Sequence, residues 1–223
     1  MRIEQNRRYI QIAFNGTASQ ARRLVPKIPY DPRIFIEAGT PYIKREGMDG
    51  VRLIRRLWRG PVIADLKVTD GAVQEVRFAK AAGADAVTAM GSSPEETLDF
   101  FNQYCRNVGI YSMIDMLGVV DPLRKLLPLR HKPQFVVIHK GRDEEINKRN
   151  IIRYKDINKV RSKYDVFISV AGGLVPDDVR EAYFNGADVA VLNIVNRGAS
   201  NDGIYETADI RTIIQRILAE VKA

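Results

Sequence analysis

Eight short runs rich in β-branched and apolar residues recur along the chain, and a longer amphipathic stretch follows each of them. The runs are Tyr9–Phe14, Ile34–Glu37, Val62–Lys67, Ala86–Ala89, Ile110–Asp115, Phe135–His139, Val166–Val170 and Val189–Leu192. The stretches are Ala18–Val25, Lys44–Trp58, Gly71–Ala82, Pro94–Asn107, Pro122–Leu127, Asp156–Lys163, Pro176–Phe184 and Ala208–Val221. This alternation predicts repeated βα units and a parallel sheet, because parallel neighbours need a crossover long enough to hold a helix. A doubly wound open sheet is the alternative. Eight evenly spaced units of about 28 residues favour closure into one (β/α)8 TIM barrel over residues 1–223, smaller than the usual ~250.

Helix punctuation agrees with this reading. Ser93-Pro94-Glu95-Glu96 offers a capping serine, a first-turn proline and first-turn acids. Asp121-Pro122 and Val175-Pro176-Asp177-Asp178 open helices in a similar way, while Gly83 and Gly186 end them. The polar, basic segment Asp143–Arg153 reads as a long loop after the sixth strand. Loops in that position lie at the catalytic face of a barrel, so it is a candidate lid.

The net charge of +8, from 35 Lys and Arg against 27 Asp and Glu, raises the question of an anionic partner. The basic residues are scattered over helices (Arg22, Arg23, Arg52, Arg55, Arg56, Arg59, Arg124, Lys125 and Arg130) and form no aromatic-interleaved ribbon. That distribution describes a solvated surface or a field for a small phosphorylated substrate; nucleic acid is not expected. No apolar run approaches the roughly 18 residues of a membrane helix, and Met1–Arg8 lacks the apolar segment of a signal peptide. The single cysteine, Cys105, excludes an intramolecular disulfide framework. A cytoplasmic protein without a membrane partner is expected.

Function is read from the strand ends, because a barrel carries its active site at the C-terminal face of its strands. The third strand ends Asp65-Leu66-Lys67, with Asp70 three residues on. Alternate side chains share a face, so Asp65 and Lys67 point one way. Alone, the stretch reads equally as a site or as a charged strand end followed by a capping Asp. The other ends decide between the two. The second strand finishes with Glu37, the fifth with Asp115 and the sixth with His139, followed by Lys140-Gly141-Arg142. A buried charge costs several kcal/mol unless it is paired, so carboxylates and a lysine converging on one mouth are hard to explain as packing. Glu37 and Asp65, hard oxygen ligands on neighbouring strands, suit Mg²⁺. Lys67 suits a developing oxyanion. His139, one of two histidines, is the candidate for proton transfer, against a purely structural hydrogen bond; His131, in a Pro-adjacent loop, reads as structural. Gly172-Gly173 after the seventh strand forms either a tight turn or a cradle of backbone N–H groups for a phosphate.

The motif Asp65-x-Lys67-x-x-Asp70 resembles the signature of the orotidine 5′-monophosphate decarboxylase suprafamily. Glu37-Ala38-Gly39-Thr40-Pro41, Ala82-Gly83-Ala84-Asp85-Ala86-Val87-Thr88, Asp115-Met116, His139-x-Gly141-x-Asp143 and Val170-Ala171-Gly172-Gly173 narrow it. Together they are similar to the 3-hexulose-6-phosphate synthase and 3-keto-L-gulonate-6-phosphate decarboxylase branch, with archaeal synthases the most similar. True orotidylate decarboxylases carry lysine where Glu37 stands. The resemblance implies a (β/α)8 homodimer with active sites at the subunit interface. Mg²⁺ would be held by Glu37 and Asp65, Lys67 would stabilise an enediolate, and Asp70 would reach into the partner's site. The implied reaction is aldol condensation of formaldehyde with ribulose 5-phosphate, or its reverse, with His139 as proton shuttle. Asn15, Asp115, Arg142, Gly172, Gly173, Asn193 and Arg197 are the expected substrate contacts.

Three positions depart from that pattern. Asn15 stands where the suprafamily has an Asp that contacts the sugar. Asn193 stands where a glycine of the phosphate site is expected, and Arg197 is placed to compensate from the following loop. Arg142 matches the decarboxylase, whereas Asp115, Ala171 and Ile194 match the synthase. The alternatives are therefore a sugar-phosphate decarboxylase or an orotidine 5′-phosphate decarboxylase-like lyase of altered substrate, each keeping the enediolate chemistry, or a basic barrel that binds without catalysis. Retention of Glu37, Asp65, Lys67, Asp70 and His139 speaks against the latter.

Overall fold

Alternation with a period of two divides the strand residues between two cores, and that division places the site. The computed structural model describes residues 3–5, 7–147, 149–196, 198 and 202–221. All eight expected strands form: β1 Tyr9–Phe14, β2 Ile34–Ala38, β3 Val62–Val68, β4 Ala86–Met90, β5 Tyr111–Asp115, β6 Phe135–His139, β7 Phe167–Ala171 and β8 Val189–Val195. Each pairs in parallel with the next. β1 also pairs with β8, from Tyr9 opposite Val189 to Phe14 opposite Ile194, so the sheet closes. The architecture is the (β/α)8 barrel that the alternation predicts.

The helices are α1 Ala18–Leu24, α2 Thr40–Leu57, α3 Ala72–Ala81, α4 Glu95–Val108, α5 Pro122–Leu126, α6 Arg142–Glu145, α7 Lys155–Arg161, α8 Val179–Phe184 and α9 Ile210–Glu220. Outward strand residues such as Ile10, Ile12, Ile36, Ala64, Val87 and Ile114 pack with Leu24, Ile54, Val76, Leu98 and Ile214 from the helices. Inward residues make a second core of Tyr9, Phe35, Ile63, Ala86, Met113, Phe135 and Val189. Tyr9 stacks on Phe35 and Phe135 on Phe167, each pair with centroids 5.0 Å apart, giving the barrel an aromatic floor. The titratable side chains Glu37, Asp65, Lys67, Asp115 and His139 line the mouth above it.

Several boundaries differ from expectation for local reasons. α2 begins at Thr40, four residues early; Gly47, at φ 59 and ψ −156, interrupts it and hides the first turns from helical periodicity. Ser93 does not cap α4: its hydroxyl donates to the Val68 carbonyl, and Pro94 takes the cap position. Asp121 does cap α5, accepting from Arg124 N. The segment expected as a loop after β6 opens with the short α6. A two-residue strand, β9 Ile204–Tyr205, pairs with β8 ahead of α9. No described helix is long and apolar enough to cross a membrane.

Candidate active site

The strands deliver their polar ends to one cavity of about 510 Å³ at the C-terminal mouth. β2 supplies Glu37, β3 Asp65 and Lys67, β4 Thr88, β5 Asp115, β6 His139 and β8 Asn193, all lining that cavity. Asp65, Glu37 and Asp115 are buried.

β3 reaches the site through a distortion. Its register with β4 shifts between Ala64 and Val68, and Lys67 sits at φ 50, the left-handed region, as the single described non-glycine residue with positive φ. Bulges of this kind re-aim a side chain next to an active site, and the backbone cost is held by the surroundings. Thr88 holds this one from β4: its hydroxyl accepts from Lys67 N at 3.0 Å and donates to Asp65 Oδ1 at 2.7 Å. Thr40, at the start of α2, donates to Asp65 Oδ2 at 2.5 Å.

Lys67 Nζ lies 3.3 Å from Asp65 Oδ1 and in closer contact with Asp115 Oδ2. Burial would lower the Lys67 ammonium, but the charges of Asp65 and Asp115 outweigh it and hold the group above the usual lysine range. Two carboxylates beside the ammonium thus favour the cationic form of Lys67. Asp115 also accepts a hydrogen bond from His139 Nδ1 at 2.8 Å and one from the Leu117 amide at 2.9 Å. Burial would raise the Asp115 carboxyl, yet His139 and Lys67 hold it well below the carboxylate range. His139 is the reciprocal case: burial pulls its imidazolium down, while the charge and hydrogen bond of Asp115 carry it above its ordinary value. With Nδ1 occupied, Nε2 is the nitrogen left for the cavity.

Glu37 is pushed up to about 7, first by burial and then by the charge of Asp65, against a hydrogen bond from Gln11. The two carboxylates thus lie close enough to repel, and a divalent cation would relieve that repulsion. Among the described residues no three His, Cys, Asp or Glu side chains converge to hold an ion by themselves. The pair still fits Mg²⁺, which takes one or two carboxylates and completes its shell with water and substrate oxygens.

The expected substrate contacts divide into three groups. Asp115, Arg142, Asn15, Gly172 and Asn193 line the cavity. The two asparagines meet: Asn15 Nδ2 donates to Asn193 Oδ1 at 3.0 Å across the β1–β8 seam. Gly172 and Gly173 have φ of 112 and 68, and a Cβ on Gly172 would lie 2.1 Å from the Lys140 carbonyl oxygen, so only glycine fits there. The Glu145 carboxylate lies beside Gly173 and accepts from Asp202 N at 3.3 Å. Arg197 lies outside the described residues. Asp70 does not join the cluster: it is exposed and lines a separate groove with Val73, Arg77 and Phe100. His131 does not line the cavity; its Nδ1 lies 3.8 Å from Asp99 Oδ1.

Gln11, Thr40 and Thr88 were not among the residues expected in the site. Gln11 and Thr88 are polar side chains at inward positions of otherwise apolar strands, and strand parity alone is the signal that marks them.

The model of the orotidine 5′-phosphate decarboxylase / HUMPS family matches residues 8–195. The bifunctional enzyme Fae/Hps of Methanothrix thermoacetophila is 34% identical over 216 residues, 96% of this chain and 53% of that protein. The chain spans about half the length of the curated relatives it matches. A solved 3-hexulose-6-phosphate synthase superposes with a TM-score of 0.83 at 27% identity, covering 96% of this chain and all of that one. The 3-keto-L-gulonate-6-phosphate decarboxylase of Vibrio cholerae, at 20% identity and a TM-score of 0.71 over 98% of this chain and all of its own, shares the fold.

Proposed function

The chain belongs to the orotidine 5′-phosphate decarboxylase / HUMPS family, and from that premise we propose that it is a Mg²⁺-dependent lyase of the 3-hexulose-6-phosphate synthase type. It joins formaldehyde to ribulose 5-phosphate, or releases it, through an enediolate. The observation that carries this reading is the Lys67 ammonium between Asp65 and Asp115, with Asp115 also bound to His139. A cation held in place between two carboxylates is suited to the negative charge of an enediolate. His139 moves the proton: Nδ1 is anchored on Asp115, which orients Nε2 towards the reacting carbon or oxygen. Glu37 and Asp65 would hold Mg²⁺, which when bound polarises the substrate's carbonyl oxygen. Asn15 contacts the sugar, and Gly172, Gly173, Asn193 and Arg197 serve its phosphate. The active protein is a homodimer in which Asp70 of each protomer completes the other's site.

Formaldehyde release from hexulose 6-phosphate tests this. Wild type is expected to be active with Mg²⁺ and inactive after chelation, and Lys67→Ala and Asp65→Asn are each expected to lose about 10²–10³-fold in kcat. Undiminished activity in both variants sinks the mechanism. A second reading, decarboxylation of a keto-gulonate phosphate by the same residues, rests on Arg142 at the cavity rim. CO₂ release without formaldehyde release selects it.

A further inference from the structure

One inward side chain of β1 has no role in that account. Gln11 is 3% exposed, opposite Phe35 on β2 and Val191 on β8, between the aromatic floor and the charged mouth. Its inward neighbours on β1, Tyr9 and Ala13, are apolar. Its Nε2 donates a short hydrogen bond to Glu37 Oε2. Its Oε1 is fully buried and has no hydrogen-bond partner among the described residues. Burying an amide with its carbonyl unmet is unfavourable, so an apolar residue would serve the barrel core better here.

We propose that Gln11 is a positioning residue for Glu37 and that its free carbonyl accepts from a hydroxyl donor bound in the cavity, a water or a substrate OH. The inference rests on the reading of Glu37 as a Mg²⁺ ligand. Tying down Oε2 selects one carboxylate orientation and leaves Oε1 of Glu37 for the ion. Partners of this kind set ligand orientation and affinity without touching the metal. The carbonyl of Gln11 then gains the partner it lacks when the ligand enters.

The test is Mn²⁺ titration of the substrate-free protein by electron paramagnetic resonance, beside thermal unfolding of the metal-free protein. Gln11→Met keeps the side-chain volume and removes both polar ends. It is expected to weaken Mn²⁺ binding by about 10–100-fold while the metal-free unfolding midpoint is unchanged or higher. Gln11→Asn keeps an amide in the cavity but withdraws it from Glu37, and the same loss is expected. A water as donor confines the effect to Mn²⁺ binding; a substrate hydroxyl adds a rise in KM at saturating metal. Unchanged Mn²⁺ binding in both variants, or weakening matched by an equal loss of metal-free stability, overturns the role of Gln11 and leaves the Mg²⁺ reading standing. A wild type that binds no Mn²⁺ overturns that reading, and this inference with it.

Discussion

Asp115 is the residue on which the site's charge state turns. It is shared by Lys67 and His139, the two groups that act on the substrate in the proposed reaction, and it holds a proton on each. The stability consequence follows from the two shifts. His139, raised in the fold, contributes fully below its unfolded value of about 6.5 and loses that contribution as pH rises through the folded value. Asp115, lowered in the fold, contributes above its unfolded value of about 3.9 and loses that contribution as pH falls through the folded value. The pair is therefore strongest between about pH 4 and about pH 6.5, the two unfolded values. Asp115→Asn removes the charge but not the burial, so the His139 titration is expected to move downward past its ordinary value. Because the chain has two histidines, imidazole NMR signals resolve this directly; a midpoint that stays where wild type has it would refute the assignment.

β3 is at once the strand that carries the site and the one whose register slips against its neighbour. The hydroxyl of Thr88 binds both sides of that slip. Thr88→Val keeps the shape, but leaves the Lys67 amide and Asp65 Oδ1 without this partner. Denaturant unfolding is expected to register a loss of about 1–3 kcal/mol. Turnover is expected to fall further than KM rises, since Asp65 and Lys67 lose their relative placement; a variant as stable and active as wild type would mean that the bulge stands without Thr88. The strands were legible in the sequence because burial on both faces writes long apolar runs, and their polar last residues stand out against them. That contrast exposed Glu37, Asp65, Asp115 and His139. It could not expose Gln11, whose lone polar character mid-strand carries no local mark of what it touches. The bulge at Lys67 was equally hidden, being specified by a threonine 21 residues away. Asn15 and Asn193 read as two unrelated departures from a family pattern. Closure of β1 on β8 makes them one contact between residues 178 apart, which no local pattern encodes.

At the scale of the whole molecule, the distribution of charge bears on what the cavity can take. Although the net charge is +8, the cavity is lined by Glu37, Asp65, Asp115, Asp143, Glu144 and Glu145 against Lys44, Lys67 and Arg142. The basic excess lies elsewhere on the surface, so the anionic substrate of the proposed reaction would meet a locally acidic mouth that a divalent cation would offset. Asp70 is the element left over. It stands outside the cavity on an exposed turn, beside Val73 and Phe100, apolar side chains that are 38% and 58% exposed. If two copies associate through this groove, each Asp70 meets the other's mouth, and a site draws on both protomers. Subunit mixing tests the arrangement. Lys67→Ala and Asp70→Asn are each expected to be nearly inactive alone. Co-refolded at equal amounts, half of the dimers are mixed, and each mixed dimer holds one site with both residues intact, so activity is expected to return to about a quarter of wild type. Replacing Phe100 with Glu should abolish that recovery and yield monomers in light scattering. Failure of the mixture to recover activity, with both variants dimeric, would return Asp70 to the role of a surface residue at the head of α3.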